Sequence, residues 1–201
     1  VASNRRSFNR PYGERRYKKL FIIATEGQKT EPQYFALLDN SHSTVKIKCL
    51  LSKSQSAPTQ VLRRMNDYLK KEGIKKTDEA WIVVDKDQWT DEQLAELYKW
   101  SLRAENLKLA LSNPKFEYWL LLHFEDGHGI ISSKDCSDRL LRHLPKYDKG
   151  IDSRLITQEH VASAIKRAQA KDNPPCTDWP RQFGTTMYRL VKNVISCGCD
   201  F

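Results

Sequence analysis

Two hydrophobic rhythms alternate through the first 125 residues of this chain. Short apolar runs at 19–24, 45–51, 80–84 and 107–111 predict strands. The third, "AWIVV", is continuous, as suits a strand buried on both faces. Between the runs lie segments of helical period. In 30–40, Thr30 and Gln33 have the spacing of a capping box, and Thr90 and Gln93 repeat it ahead of a helix over 90–106. Val61, Leu62, Met65 and Leu69 share one side of a helix over 58–71, with Gly73 as its stop. Asn113 and Pro114 read as N-cap and first position of a helix running to 124.

This order predicts an α/β fold, a four-stranded parallel sheet with helices on both faces. After residue 125 the strand signals stop. "SSKDCSDRLLRHL", "TQEHVASAIKRAQAK" and "QFGTTMYRLVKNVIS" read as helices between polar loops. The expected organisation is a basic arm over 1–18, an α/β core over 19–125 and a helical C-terminal extension over 126–201 packed on that core.

Composition narrows the class. Hydrophobic residues are 39% and charged residues 29% of the chain, an ordinary globular balance. No apolar run approaches the roughly 20 residues of a membrane span, and no signal peptide is visible. Five cysteines at irregular spacing argue for free thiols in a reducing cytoplasm. Cys197 and Cys199 lack the nearby ligands of a structural zinc. The net charge is +9, and residues 1–19 set seven basic residues against Glu14 alone, a net of +6. Arg5, Arg6, Arg10, Arg15, Arg16 and Lys18 stand there among Phe8, Tyr12 and Tyr17. The arm reads as a contact to the phosphate backbone of DNA or RNA with rings for stacking, or as a solvated tail.

The candidate chemistry lies where strands end. "ATEG" places Glu26 after the first strand, and "VVDKDQW" places Asp85 and Asp87 after the third. If the second and third strands flank the first, these acids emerge side by side at the switch point of the sheet. Carboxylates so crowded repel unless a cation lies between them, and hard oxygen ligands suit Mg²⁺ or Mn²⁺. Thr30 and Thr90 already read as helix caps, which leaves Glu26, Asp85 and Asp87 without that role. Glu31, in the first turn of its helix, complements the macrodipole or joins the cluster. Gly27 permits a tight turn or a close approach. Lys29 and Lys86, beside the acids, are candidates for phosphate contacts. D-x-D alone also occurs in haloacid-dehalogenase-type phosphatases and nucleotide-sugar glycosyltransferases; its pairing with "TEG" is the more telling feature. In "SNPKFEYWLLLHF", Glu117 interrupts an apolar helix. It belongs to a satisfied core network, or it is a further acid near the metal, or it orients the metal's ligands. His123 reads as a hydrogen-bonded core histidine.

Taken together, "TEGQKTEPQYF", "VVDKDQW", "NPKFEYWLLLHF" and "LPKYDKG" resemble the RloB-like family over roughly residues 15–195. That family is linked to the AbiLii abortive-infection proteins. The resemblance implies a Toprim-like, Rossmannoid catalytic core, with a Glu after the first strand and a D-x-D after the third binding Mg²⁺; Glu26, Asp85 and Asp87 match. "KFEYW" stands where the family pattern leads one to expect "CFELW" or "SFELW". It further implies a metal-dependent nuclease of bacterial antiphage defence, with an AAA- or ABC-type ATPase encoded nearby. Two rivals stay open: a nucleic-acid-binding or sensor subunit of such an ATPase, and a phosphotransferase or primase-like enzyme.

Overall fold

A computed structural model describes residues 17–39, 44–51, 58–87, 89–148 and 150–198. The expected basic positions Arg5, Arg6, Arg10, Arg15 and Arg16, and Cys199, lie outside the described residues. The elements run β1 (Lys19–Thr25), α1 (Thr30–Leu38), β2 (Val45–Leu50), α2 (Pro58–Glu72), β3 (Glu79–Asp85), α3 (Asp91–Ser101), β4 (Leu107–Asn113), α4 (Phe116–Leu121), α5 (Ser133–His143), α6 (Gln158–Lys171), β5 (Gly184–Thr185) and α7 (Met187–Cys197). None of the described helices is long and apolar enough to cross a membrane.

The sheet has five strands in the order β2-β1-β3-β4-β5. β1 to β4 are parallel, and β5 pairs antiparallel with β4 through Ser112–Thr185 and Asn113–Gly184. This corrects the four-stranded expectation and the all-helical reading of the C-terminal region. Only two residues of β5 join the ladder, too few for an apolar alternation. Side-chain hydroxyls reinforce the pairing. Thr186 Oγ1 accepts from the Leu111 N–H at 2.9 Å, and Ser112 Oγ meets Thr185 Oγ1 at 2.9 Å.

Alternation along the strands divides the core in two. Phe21, Ile23, Trp81, Val83 and Ala110 face α1 and α4 to α7. Ile22, Ala24, Ile82, Val84 and Leu111 face α2 and α3. The strands are thus apolar on both faces, which accounts for the unbroken run in β3. Each large side chain fully buried there contributes roughly 1.5–3 kcal/mol. Leu140, Leu144, Val161, Leu190 and Val191, all beyond residue 125, belong to the same apolar cluster as α1 and α4.

Several helix ends differ from expectation. The Thr90–Gln93 capping box forms as read. The Thr30–Gln33 box does not: Lys29 is the N-cap of α1, and no side chain caps it. Gln33 Oε1 accepts instead from the Ile151 N–H at 2.8 Å, and the Thr30 hydroxyl meets the Tyr147 hydroxyl at 3.3 Å. α4 begins at Phe116 rather than Pro114. The Pro114 carbonyl is taken by the N–H groups of Lys86 and Asp87, both at 3.0 Å, so Tyr118 N–H turns to Lys115 O at 2.9 Å. α4 ends at Leu121, and Arg167 Nη1 donates to the Leu122 carbonyl at 2.7 Å. Gly73 ends α2 as expected, with a φ of 71° and its N–H on Leu69 O.

Candidate functional site

The strand order reverses between β1 and β3, because β2 lies on one side of β1 and β3 on the other. A crevice opens past the carboxyl ends of strands at such a point. The Glu26 N–H continues the ladder onto Val83 O at 3.2 Å, and Thr25 Oγ1 donates to Gly27 O at 2.9 Å to close the turn. This sets the Glu26 carboxylate against the end of β3. Its Oε2 accepts from the Trp89 indole N–H at 2.9 Å and from the Asp85 N–H at 3.4 Å. Acids 59 residues apart in the chain are therefore neighbours.

Gly27 is needed for close approach rather than for an unusual φ. Its N–H donates to Glu31 Oε1 at 2.9 Å, and a Cβ on Gly27 would fall 2.1 Å from Glu31 Oε2. Any side chain there would displace the Glu31 carboxylate. Glu31 itself is buried in the first turn of α1.

Asp85 is the last residue of β3, and its Oδ1 is buried with no hydrogen-bond partner. Burial holds its carboxyl well above the usual carboxylate range, and repulsion from Glu31, Glu26, Glu117 and Asp87 adds to the rise. Glu26 is raised too, first by burial, against the lowering effect of its bonds to Trp89 and Asp85. Asp87 is exposed beside them, its loop tied to the Pro114 carbonyl. Glu117, in the first turn of α4, is buried, and its Oε1 accepts from the Tyr147 hydroxyl at 3.1 Å. It is a member of a hydrogen-bonded network and a charge felt by Asp85.

The cationic candidates are less convergent. Lys29 is exposed at the start of α1. Lys86 turns to α3, with its ammonium on Asp91 Oδ1 at 2.8 Å and on Trp89 O at 3.2 Å. Lys18 is exposed below β1, its N–H on Thr44 O. Two residues at the crevice were not singled out from sequence. Arg64 of α2 donates through Nη2 to the Thr25 carbonyl. Its signal was a basic residue three positions after Val61 on the rim of an apolar stripe. Tyr147 carried no signal of its own beyond lying in "LPKYDKG". His123 is a core histidine as expected: Nδ1 bonds Trp119 O at 3.0 Å and Nε2 meets the Tyr34 hydroxyl at 3.1 Å. Cys49, Cys136, Cys176 and Cys197 are free thiols.

The oxygen-only donor set and the buried, partnerless Asp85 Oδ1 suit a hard divalent cation. Among the described residues, no three His, Cys, Asp or Glu side chains are arranged as they stand to hold one. Glu26 Oε2 is engaged by the Trp89 indole and Glu31 Oε1 by the Gly27 amide.

These features define a doubly wound α/β protein with an acidic crevice at its topological switch. The chain belongs to the RloB-like family: the family model, described as RloB-like protein, matches residues 21–194, most of its length. No curated protein and no solved structure matches it.

Proposed function

We propose that the chain is a Toprim-like, metal-dependent nuclease of RloB type, hydrolysing phosphodiester bonds of DNA or RNA in the cytoplasm as part of bacterial antiphage or abortive-infection defence. One observation carries the reading: the buried, unpartnered Oδ1 of Asp85, surrounded by Glu26, Glu31, Asp87 and Glu117. A lone buried oxygen among like charges is costly for a structure that has no use for it. Asp85, Asp87 and Glu26 would hold Mg²⁺ or Mn²⁺, which supplies polarisation of a phosphoryl oxygen and an acidified water. Where Glu26 does not ligate the ion, it would act as general base or acid. Glu117 orients the buried side of the crevice. Lys29 and the basic arm would neutralise phosphates, and Lys86 would join them on leaving Asp91. A nearby-encoded AAA- or ABC-type ATPase is the expected partner.

The test is metal-dependent nicking of DNA or cleavage of RNA by the purified protein, alone and with that ATPase. Asp85→Asn abolishes it. Equal cleavage by wild type and variant overturns the reading.

A second reading has its own support in the bonds that occupy Glu26 and Glu31. It makes the chain a nucleic-acid-binding or sensor subunit without catalysis. Tight nucleic-acid binding indifferent to Mg²⁺, with no cleavage in the presence of the partner, would establish it.

A further inference from the structure

Tyr147 reaches the crevice from the region beyond residue 125, and its position is built rather than incidental. Leu144 is anchored in the core, and the Tyr147 N–H turns back to its carbonyl at 2.9 Å. A few residues on, the Ile151 N–H is clipped to Gln33 of α1 at 2.8 Å. The loop is therefore fastened on both sides of the tyrosine. The phenol points at Glu117, with its oxygen 3.1 Å from Oε1 and 3.3 Å from Thr30 Oγ1. An ionised carboxylate only accepts, so Tyr147 gives its single proton to Glu117. The contact with Thr30 is then donated by the threonine. The result is a directed chain, Thr30 to Tyr147 to Glu117, ending on a carboxylate whose charge Asp85 feels.

We infer that Tyr147 is a positioning residue of the metal centre: the loop after α5 supplies the hydroxyl that fixes the Glu117 carboxylate against Asp85 for cation binding. This rests on the proposed metal reading of the crevice. A tyrosine serving only to pin the loop would contribute to stability alone. A tyrosine that orients Glu117 also sets cation affinity, since groups that hold a ligand in place typically govern 10- to 100-fold of it.

The experiment is a Mn²⁺ titration of the full chain, followed by calorimetry and by electron paramagnetic resonance of free Mn²⁺. Tyr147→Phe keeps the ring and removes the hydroxyl; its dissociation constant rises about tenfold. Glu117→Gln raises it at least as much, and the double variant is no weaker than Glu117→Gln alone, because the two side chains act as one unit. On a cleavable nucleic acid, Tyr147→Phe lowers kcat and leaves KM unchanged. If Tyr147→Phe is too unstable in chelator to titrate, Thr30→Val, which removes the upstream donor, decides by a smaller rise in the same constant. Unchanged Mn²⁺ affinity in the variant, or losses that multiply in the double variant, overturns the inference while the metal centre stands. Absence of Mn²⁺ binding by the wild type overturns both.

Discussion

Asp85, with its Oδ1 buried, and His123, buried whole, are titratable residues with opposite consequences. The Asp85 carboxylate meets like charges on several sides and leaves Oδ1 unbonded. Neutralising it relieves repulsion in the metal-free protein. Asp85→Asn is therefore expected to raise the melting temperature in chelator by a few degrees, corresponding to about 1 kcal/mol for a domain of this size. Millimolar Mg²⁺ should raise the melting temperature of the wild type and leave the variant where it is. Differential scanning calorimetry in chelator and in Mg²⁺ reads both effects.

His123 behaves as a core residue. Burial pushes it down from 6.5 to about 4, helped by the nearby charges of His160 and Arg167 and opposed by its bond to the Trp119 carbonyl. The fold thus prefers the neutral ring, whereas the unfolded chain protonates it near 6.5. Its contribution is fully present above pH 6.5 and is lost as the pH falls towards 4. The shift corresponds to roughly 3 kcal/mol. Urea unfolding at pH 7 and pH 4 should show a larger loss of stability for the wild type than for His123→Gln, by about that amount. An equal loss in both would remove His123 from the account.

Strands were legible because burial on both faces writes an uninterrupted apolar run, and β1 to β4 follow those runs closely. Their ends were not, because polar residues there serve the ladder: Asp85 pairs with Ser112, and Ser112 in turn with Thr185. β5 left no trace at all, since two small residues held by threonine hydroxyls have no period. Capping patterns were half informative. Thr90 caps α3 as its spacing with Gln93 announces, whereas Thr30 has the same spacing but faces a tyrosine 117 residues away. The Thr–Gln spacing is the same at the two sites, but Pro32 stands where the second site has Glu92, and Thr30 and Gln33 are taken up by long-range contacts. The acids at Glu26 and Asp85 were legible because only strand order was needed to bring them together. The Glu31–Gly27 and Tyr147–Glu117 contacts required the packed structure. Thr90→Ala should cost about 1 kcal/mol, read as a drop of a few degrees in melting temperature, because it removes the acceptor of the Gln93 N–H. Thr30→Ala should not behave as a cap deletion.

Across the whole molecule, the apolar layer over α1 and α4 is completed only by α5, α6 and α7. A fragment ending at residue 125 would leave Trp119, Leu120 and Leu121 without much of their cover. It is expected to bind a hydrophobic dye and to melt without a sharp transition, in contrast to the full chain. A cooperative transition in that fragment would show that the first 125 residues fold as an independent unit.

The hydroxyl that meets Glu117 is encoded 30 residues after it. During synthesis the four parallel strands emerge first, and the acids assemble at their ends while this counterpart is still inside the ribosome. The crevice then stays incomplete on a nascent chain until Tyr147 has emerged and met Glu117.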